Sequence, residues 1–168
     1  MAVSMYDIAI PTFQGQLTAL DAILDKAEAY ATAKKIDIAV LLAARLYPDM
    51  FNLTRQVQLA TDFAKAAPAR LAGVEVPSLP DTETTLPELK ARIAKVQAML
   101  ASYKPQQFEG ADLKELTLKL GGNDMTLSGR DYLLHAALPN FYFHCTTAYN
   151  ILRHNGLEIG KRDFIGRP

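Results

Sequence analysis

Residues 128–156, SGRDYLLHAALPNFYFHCTTAYNILRHNG, decide how this chain reads. Ser128 followed by Asp131 is a helix-start signature, and Asn155-Gly156 is a stop. Between them Leu134, Leu138, Phe141, Cys145, Ala148 and Leu152 recur at helical spacing, giving one apolar stripe of a long helix. A second stripe beside it, Leu133, Ala137, Asn140, His144, Thr147 and Ile151, carries three polar groups at its middle. A polar patch at mid-height of a bundle helix is where such folds seat ligands, because facing helices form the walls and the polar groups give direction. The alternative for His144 is a core histidine satisfied by a carbonyl or a tyrosine. Pro139 removes the bond to the carbonyl of His135, so a kink is expected beside the patch.

All three histidines of the chain, His135, His144 and His154, lie in this stretch, so no site can draw imidazoles from two distant helices. Nor can they share an ion among themselves. His135 and His144 point about 180° apart around a helix, and His144 and His154 are on the order of 15 Å apart along it. His154, in the last turn, suits the negative end of the helix dipole. Cys145 adjoins His144, but helix neighbours diverge by about 100° and the thiol sits on the apolar stripe, so a Cys/His nucleophile is disfavoured.

Working outward, the same period recurs. Tyr6, Ile10, Phe13, Leu17, Leu20, Leu24, Ala27 and Ala31 form the stripe of a first helix from about Met5 to Lys34, with a Ser4/Asp7 capping box and a bend or restart expected at Pro11. Asp37 caps a short segment, Ile38 to Leu46, that Pro48 ends. A second helix is predicted to start at Pro48, with the stripe Met50, Leu53, Val57, Ala60, Ala64, Ala67 and Leu71 and an exit at Gly73. Residues 74–84 read as a connection. A third helix follows a Thr85/Glu88 box with Leu86, Leu89, Ile93, Val96 and Leu100, and fades before Pro105. From Lys114 the period becomes two: Leu116, Leu118 and Leu120 face one way, and Gly121-Gly122-Asn123-Asp124 turns the chain into Met125-Thr126-Leu127. That small β-hairpin is expected to lay its leucine face on the helices, because an isolated hairpin is marginal. The reading is an all-α bundle of four helices, with a hairpin before the last, in a single domain over residues 1–168.

Composition removes several function classes. The chain has 168 residues, 18 Lys+Arg against 18 Asp+Glu, and 49% hydrophobic residues. Its scattered cations leave no nucleic-acid footprint, so no nucleic-acid partner is expected. No uncharged apolar run approaches the roughly 20 residues of a membrane span, and the start MAVSMYDIAIP does not resemble a signal peptide, so a cytoplasmic location is expected. The lone Cys145 has no intramolecular disulfide partner. Gly121-Gly122 sits in a turn without a following Gly-Lys-Ser loop, so a phosphate cradle is discounted. Arg45, Asp49, Gln56 and Gln58 bracket the start of the second helix and are candidates for the bundle interior, although exposed helix polarity is the commoner explanation. Arg45 and Asp49 are a candidate ion pair. Lys161, Arg162 and Arg167 in the tail KRDFIGRP read as a solvated terminus.

The segments YDIAIPTFQGQL, LLAARLYPDMFNLTRQVQLATDFAKAAPARLAGVEVP and DYLLHAALPNFYFHCTTAYNILRHNGLEIGKRDFIG together resemble the bacterial domain-of-unknown-function family nineteen-ninety-three. That family is similar to the DinB-like and YfiT-like metalloenzyme superfamily. The resemblance implies an up-down-down-up four-helix bundle, often dimeric, in which one histidine of the second helix and a His-x-x-x-His pair on the fourth hold nickel or zinc, and some members are thiol-dependent transferases. Carried onto this chain, the fourth-helix pair falls on Asn140 and His144, and the second-helix ligand at or next to Gln56 or Gln58. Only His144 is an imidazole, whereas a catalytic zinc site takes three protein ligands. No metal and no cofactor are therefore expected. The preferred expectation is a homodimeric bundle with a degenerate metal site, non-catalytic or binding a small polar molecule among Asn140, His144, Thr147, Gln56, Gln58, Arg45 and Asp49. The other is a metal- or thiol-dependent transferase or hydrolase in which His144 acts as base or sole imidazole ligand, helped by a carboxylate such as Asp49.

Overall fold

Ser4 opens the first helix by accepting the Asp7 amide at 3.1 Å while the Asp7 carboxylate takes the Ser4 amide at 3.1 Å, the expected reciprocal cap. The structure is a computed structural model describing residues 3–120 and 122–166. Gly121, expected in the hairpin turn, and Arg167 of the tail lie outside the described residues, as do Met1, Ala2 and the side chain of Leu120.

Helix α1 spans Met5–Lys34 without a restart, and Pro11 is accommodated inside it. Every member of its expected stripe is buried except Tyr6, which is half-buried and edges the Phe108 ring. Asp37 caps α2, which covers Ile38–Ala43 and ends short of the expected Leu46. The next helix, α3, is Leu53–Ala72. The expectation that it begins at Pro48 is corrected: Asn52 takes the cap, its side chain accepting the Arg55 amide at 3.0 Å, while the Leu53 amide ties back to Ala44 at 2.9 Å. A side-chain acceptor at Asn52 satisfies a helix-start donor, which Pro48 cannot do for a chain still turning through Tyr47–Met50. Gly73 ends α3 at φ 72°, as glycine at a left-handed exit should.

Helix α4, Leu86–Ser102, starts at the Thr85/Glu88 box and buries all five expected positions. A short 3-10 turn at Pro105–Phe108 follows. Strands β1 (Glu115–Leu120) and β2 (Asn123–Ser128) pair antiparallel with Leu116 opposite Leu127 and Leu120 opposite Asn123, so Asn123 and Asp124 belong to the strand rather than the turn. Leu116 and Leu118 pack against the helical core, as the leucine alternation anticipated, and Leu127 of β2 joins them.

The last long helix is built in three pieces: α5 (Gly129–Tyr132), one wide π turn at Leu133–Ala137, and α6 (Leu138–His154). Pro139 has no amide to offer the carbonyl of His135, and the chain answers with the π turn, in which the Leu138 amide reaches Leu133. Helix α7 (Lys161–Ile165) returns along α1, where Lys26 pairs with Asp163 at 2.5 Å. Among the long helices α3 is central, packed against α6, α4 and α1, and α1 also meets α4 and α6. No helix among the described residues is long and apolar enough to cross a membrane.

Candidate functional site

The α3·α6 seam brings one expected pair together. His144, on α6, is 8% exposed, and Gln56, on the first turn of α3, is 1% exposed. The Gln56 amide is oriented by its own donor: Nε2 gives a hydrogen bond to the Phe51 carbonyl at 3.2 Å, which turns Oε1 toward the imidazole. His144 Nδ1 then donates to Oε1 at 2.8 Å. An amide oxygen only accepts, so the proton is fixed on Nδ1 and the lone pair is left on Nε2. Nε2 has no protein partner among the described residues and is not sealed from solvent. The ring is held from both sides: Phe63 stacks on it at 5.8 Å between centroids and 20° between planes, and Phe143 meets it edge-on at 5.3 Å.

This setting disfavours the imidazolium. Burial, with the nearby Arg55 guanidinium adding to it, pulls the His144 pKa from 6.5 to about 4. The unfolded chain therefore binds a proton that the folded chain refuses between those values. Stability is fully expressed above pH 6.5 and falls as the pH drops toward about 4. The loss is on the order of 3 kcal/mol at most. Urea midpoints recorded across that range should slope more steeply for the wild type than for His144→Asn, which cannot titrate; equal slopes would show that the ring is solvated.

The other expected site residues do not converge on His144. Asn140 is exposed, and its amide donates to the Ala136 carbonyl at 2.8 Å, bridging the π turn. Thr147 is buried on the His144 face, but its hydroxyl donates to Phe143 O at 2.7 Å within its own helix. Arg45 is exposed and donates weakly to the Pro48 carbonyl at 3.4 Å. Asp49 is exposed too, and no Arg45–Asp49 ion pair forms among the described residues. Cys145 is buried and its thiol is pushed well above the ordinary range by desolvation. His135 and His154 are exposed.

Gln58 is buried but faces elsewhere, into a charged cluster that the sequence did not announce. Its Nε2 donates to Glu83 at 3.0 Å, and its Oε1 accepts from Arg55 at 3.3 Å. At the centre lies Arg92 of α4, whose side chain is 0% exposed. It donates through Nε to Thr61 at 2.7 Å, through Nη1 to the Pro80 carbonyl at 3.0 Å and Glu83 at 3.1 Å, and through Nη2 to Asp62 at 2.8 Å. Asp81 is 3.0 Å from Nη2 and also pairs with Arg55, while Lys65 pairs with Asp62 at 2.9 Å. Arg55, Lys65 and Arg92 thus meet Asp62, Asp81 and Glu83, and the 74–84 connection is fastened to α3 and α4. The only sequence signal was an arginine at 92 within an otherwise apolar helix face.

The fit of a nickel or zinc ion to this seam fails on donor chemistry. One imidazole nitrogen is committed to an amide, Asn140 is turned to its own helix, and no group of three His, Cys, Asp or Glu side chains that could hold a metal occurs among the described residues.

The family model described as Domain of unknown function (DUF1993) matches residues 5–165 of this chain. A crystal structure of a DinB family member protein from Shewanella denitrificans is similar to it at 46% identity, covering 98% of this chain and 93% of that one, with a TM-score of 0.91. No curated protein matches.

Proposed function

Because the chain belongs to the domain-of-unknown-function family DUF1993 and has a DinB-family structural neighbour, we propose that it is a DinB-like up-down-down-up four-helix bundle in which a neutral His144–Gln56 pair replaces a metal centre. Its role in this reading is non-catalytic: it holds a small polar molecule that donates a hydrogen bond to His144 Nε2, and it works as a cytoplasmic homodimer. The observation that carries the reading is the 2.8 Å bond from Nδ1 to the Gln56 oxygen, which fixes the tautomer and leaves a single outward lone pair. Exposed aromatic side chains support a dimer, since Phe143, edge-on to the imidazole, is 57% exposed, and Phe51, whose carbonyl holds Gln56, is 55% exposed. The transferase alternative draws less support: the imidazole is a weak base with a pKa of about 4, Asp49 is exposed and forms no hydrogen bond or ion pair with it among the described residues, and Cys145 is shut inside the core.

Metal analysis of protein purified without a histidine tag tests the first half of the proposal. Nickel and zinc should be far below stoichiometric, whereas a stoichiometric ion that disappears in His144→Ala would overturn it. Light scattering at micromolar concentration tests the second half. A dimer mass is expected, and a monomer mass would reject the homodimer.

A further inference from the structure

Phe63 has a second neighbour besides the His144 imidazole. It also lines a cleft of about 420 Å³ between α3, the 74–84 connection, the hairpin and the π turn, well within the size of small-ligand sites. Leu59, Phe63, Ala66 and Arg70 follow one another along a single face of α3 and form its floor, and Val76, Leu118 and Ala136 complete the apolar walls.

The charges at this cleft are unequal. Asp62 is committed, because Lys65 lies 2.9 Å and Arg92 2.8 Å from its carboxylate, and those pairs consume Lys65 as well. Arg70 is half-buried and pairs with no carboxylate among the described residues. Its Nη1 donates to the Tyr132 hydroxyl at 2.8 Å, and the guanidinium lies 5.7 Å from that ring's centroid. Tyr132 cannot neutralise it: burial raises the phenol's pKa, so the ring stays uncharged. Lys119 also lines the cleft and has no ion pair among the described residues. Lys114 adds a third cation close by, its ammonium 3.4 Å from the Arg70 carbonyl. A guanidinium with unused donors beside an apolar trough is a receptor for a carboxylate on an apolar body.

We propose that this cleft binds a small amphipathic carboxylate, with Arg70 holding the anion and the Leu59/Phe63 floor taking the apolar portion. The site lies across Phe63 from the His144–Gln56 pair and does not depend on how that pair functions.

Titration of the full chain with phenylacetate, phenylacetamide and acetate, followed by amide NMR, tests this. Phenylacetate should shift residues 59–70, 118–119 and 132–136 saturably, and the uncharged amide should bind at least about tenfold more weakly, since a hydrogen bond to a charged group is replaced by one to a neutral group. Acetate should bind more weakly than phenylacetate for want of an apolar body. Arg70→Gln should erase the preference for acid over amide, and Arg70→Lys should keep part of it. Should Arg70→Gln fail to fold, Ala66→Met, which fills the floor and leaves Arg70 in place, should abolish binding of both aromatic probes. Equal affinity for acid and amide, acetate binding as tightly as phenylacetate, or absence of saturable shifts at these residues would each overturn the proposal. Shifts centred on residues 56 and 144 would also overturn it and place the ligand at the other site. A metal found at His144 would leave this result unaffected, so the two readings fail separately.

Discussion

Arg92→Met is expected to destabilise the protein by about 3 kcal/mol or more, a large fraction of what holds a domain of this size together. The methionine replaces the apolar stem of Arg92 but none of its donors. Thr61 loses the Nε bond, the Pro80 carbonyl loses the Nη1 bond, and Asp62, Asp81 and Glu83 are left facing one another. Lys65 still holds Asp62, Arg55 still holds Asp81 and Gln58 still holds Glu83, and all three carboxylates retain some water, which keeps the loss toward the low end for a broken buried pair. Arg92→Lys should recover little, because one ammonium cannot span acceptors on α3 and on the 74–84 connection at once. Urea denaturation reads the free energy. Hydrogen exchange reads the cause, since residues 74–84 should lose protection before the rest of the chain does. A change under about 1 kcal/mol in Arg92→Met would place the cluster with solvated surface ion pairs.

Gly129→Ala is the second large effect expected, also about 3 kcal/mol or more, from overpacking against backbone. A Cβ at Gly129 would stand 1.9 Å from the Ala111 carbonyl oxygen and 3.0 Å from Leu71 Cδ2. The obstacle is main chain, which cannot swing aside as a long side chain can. The approach is close because two backbone bonds pull it in: the Gly129 amide donates to Lys114 O at 2.7 Å, and the Arg130 amide to Asp112 O at 3.0 Å. Forcing the chains apart breaks both and misplaces the start of the helix that carries His144. Gly15→Ala is the matched control. Nothing lies within 4 Å of its Cβ position in the middle of α1, so alanine there should stabilise by about 0.5–1 kcal/mol through helix propensity. Thermal melts of the two variants should therefore move in opposite directions.

The helices were legible in the sequence wherever a stripe and a side-chain cap coincided. Ser4/Asp7, Asp37, Thr85/Glu88 and Ser128/Asp131 all cap the helices they were expected to open. The start of α3 was misplaced because Pro48 and Asn52 are both good openers locally, and the choice between them depends on the Leu53–Ala44 bond, a tertiary feature. Pro139 announced a disturbance, but a kink and a π turn both answer one missing donor, and sequence alone does not separate them. At the site, His144 was visible as a polar residue on an inward stripe, and Gln56 was half-visible. Its neighbour Gln58 looked equivalent in sequence, yet two residues on a helix point about 200° apart, so one glutamine reaches the imidazole and the other reaches Glu83. The Arg92 cluster was hidden because two of its three carboxylates, Asp81 and Glu83, come from a connection with no period of its own, and the Arg70 cleft because its walls come from several separate elements.

The central claim is that His144 is a neutral imidazole carrying its proton on Nδ1. The direct measurement is the two-bond proton–nitrogen correlation spectrum of the His144 ring, recorded from neutral pH downward and repeated with added nickel and zinc. A protonated Nδ1 and a bare Nε2 should persist until the pH approaches about 4, with no change at stoichiometric metal. An imidazolium at neutral pH, a proton on Nε2, or an Nε2 signal captured by one equivalent of metal would contradict it.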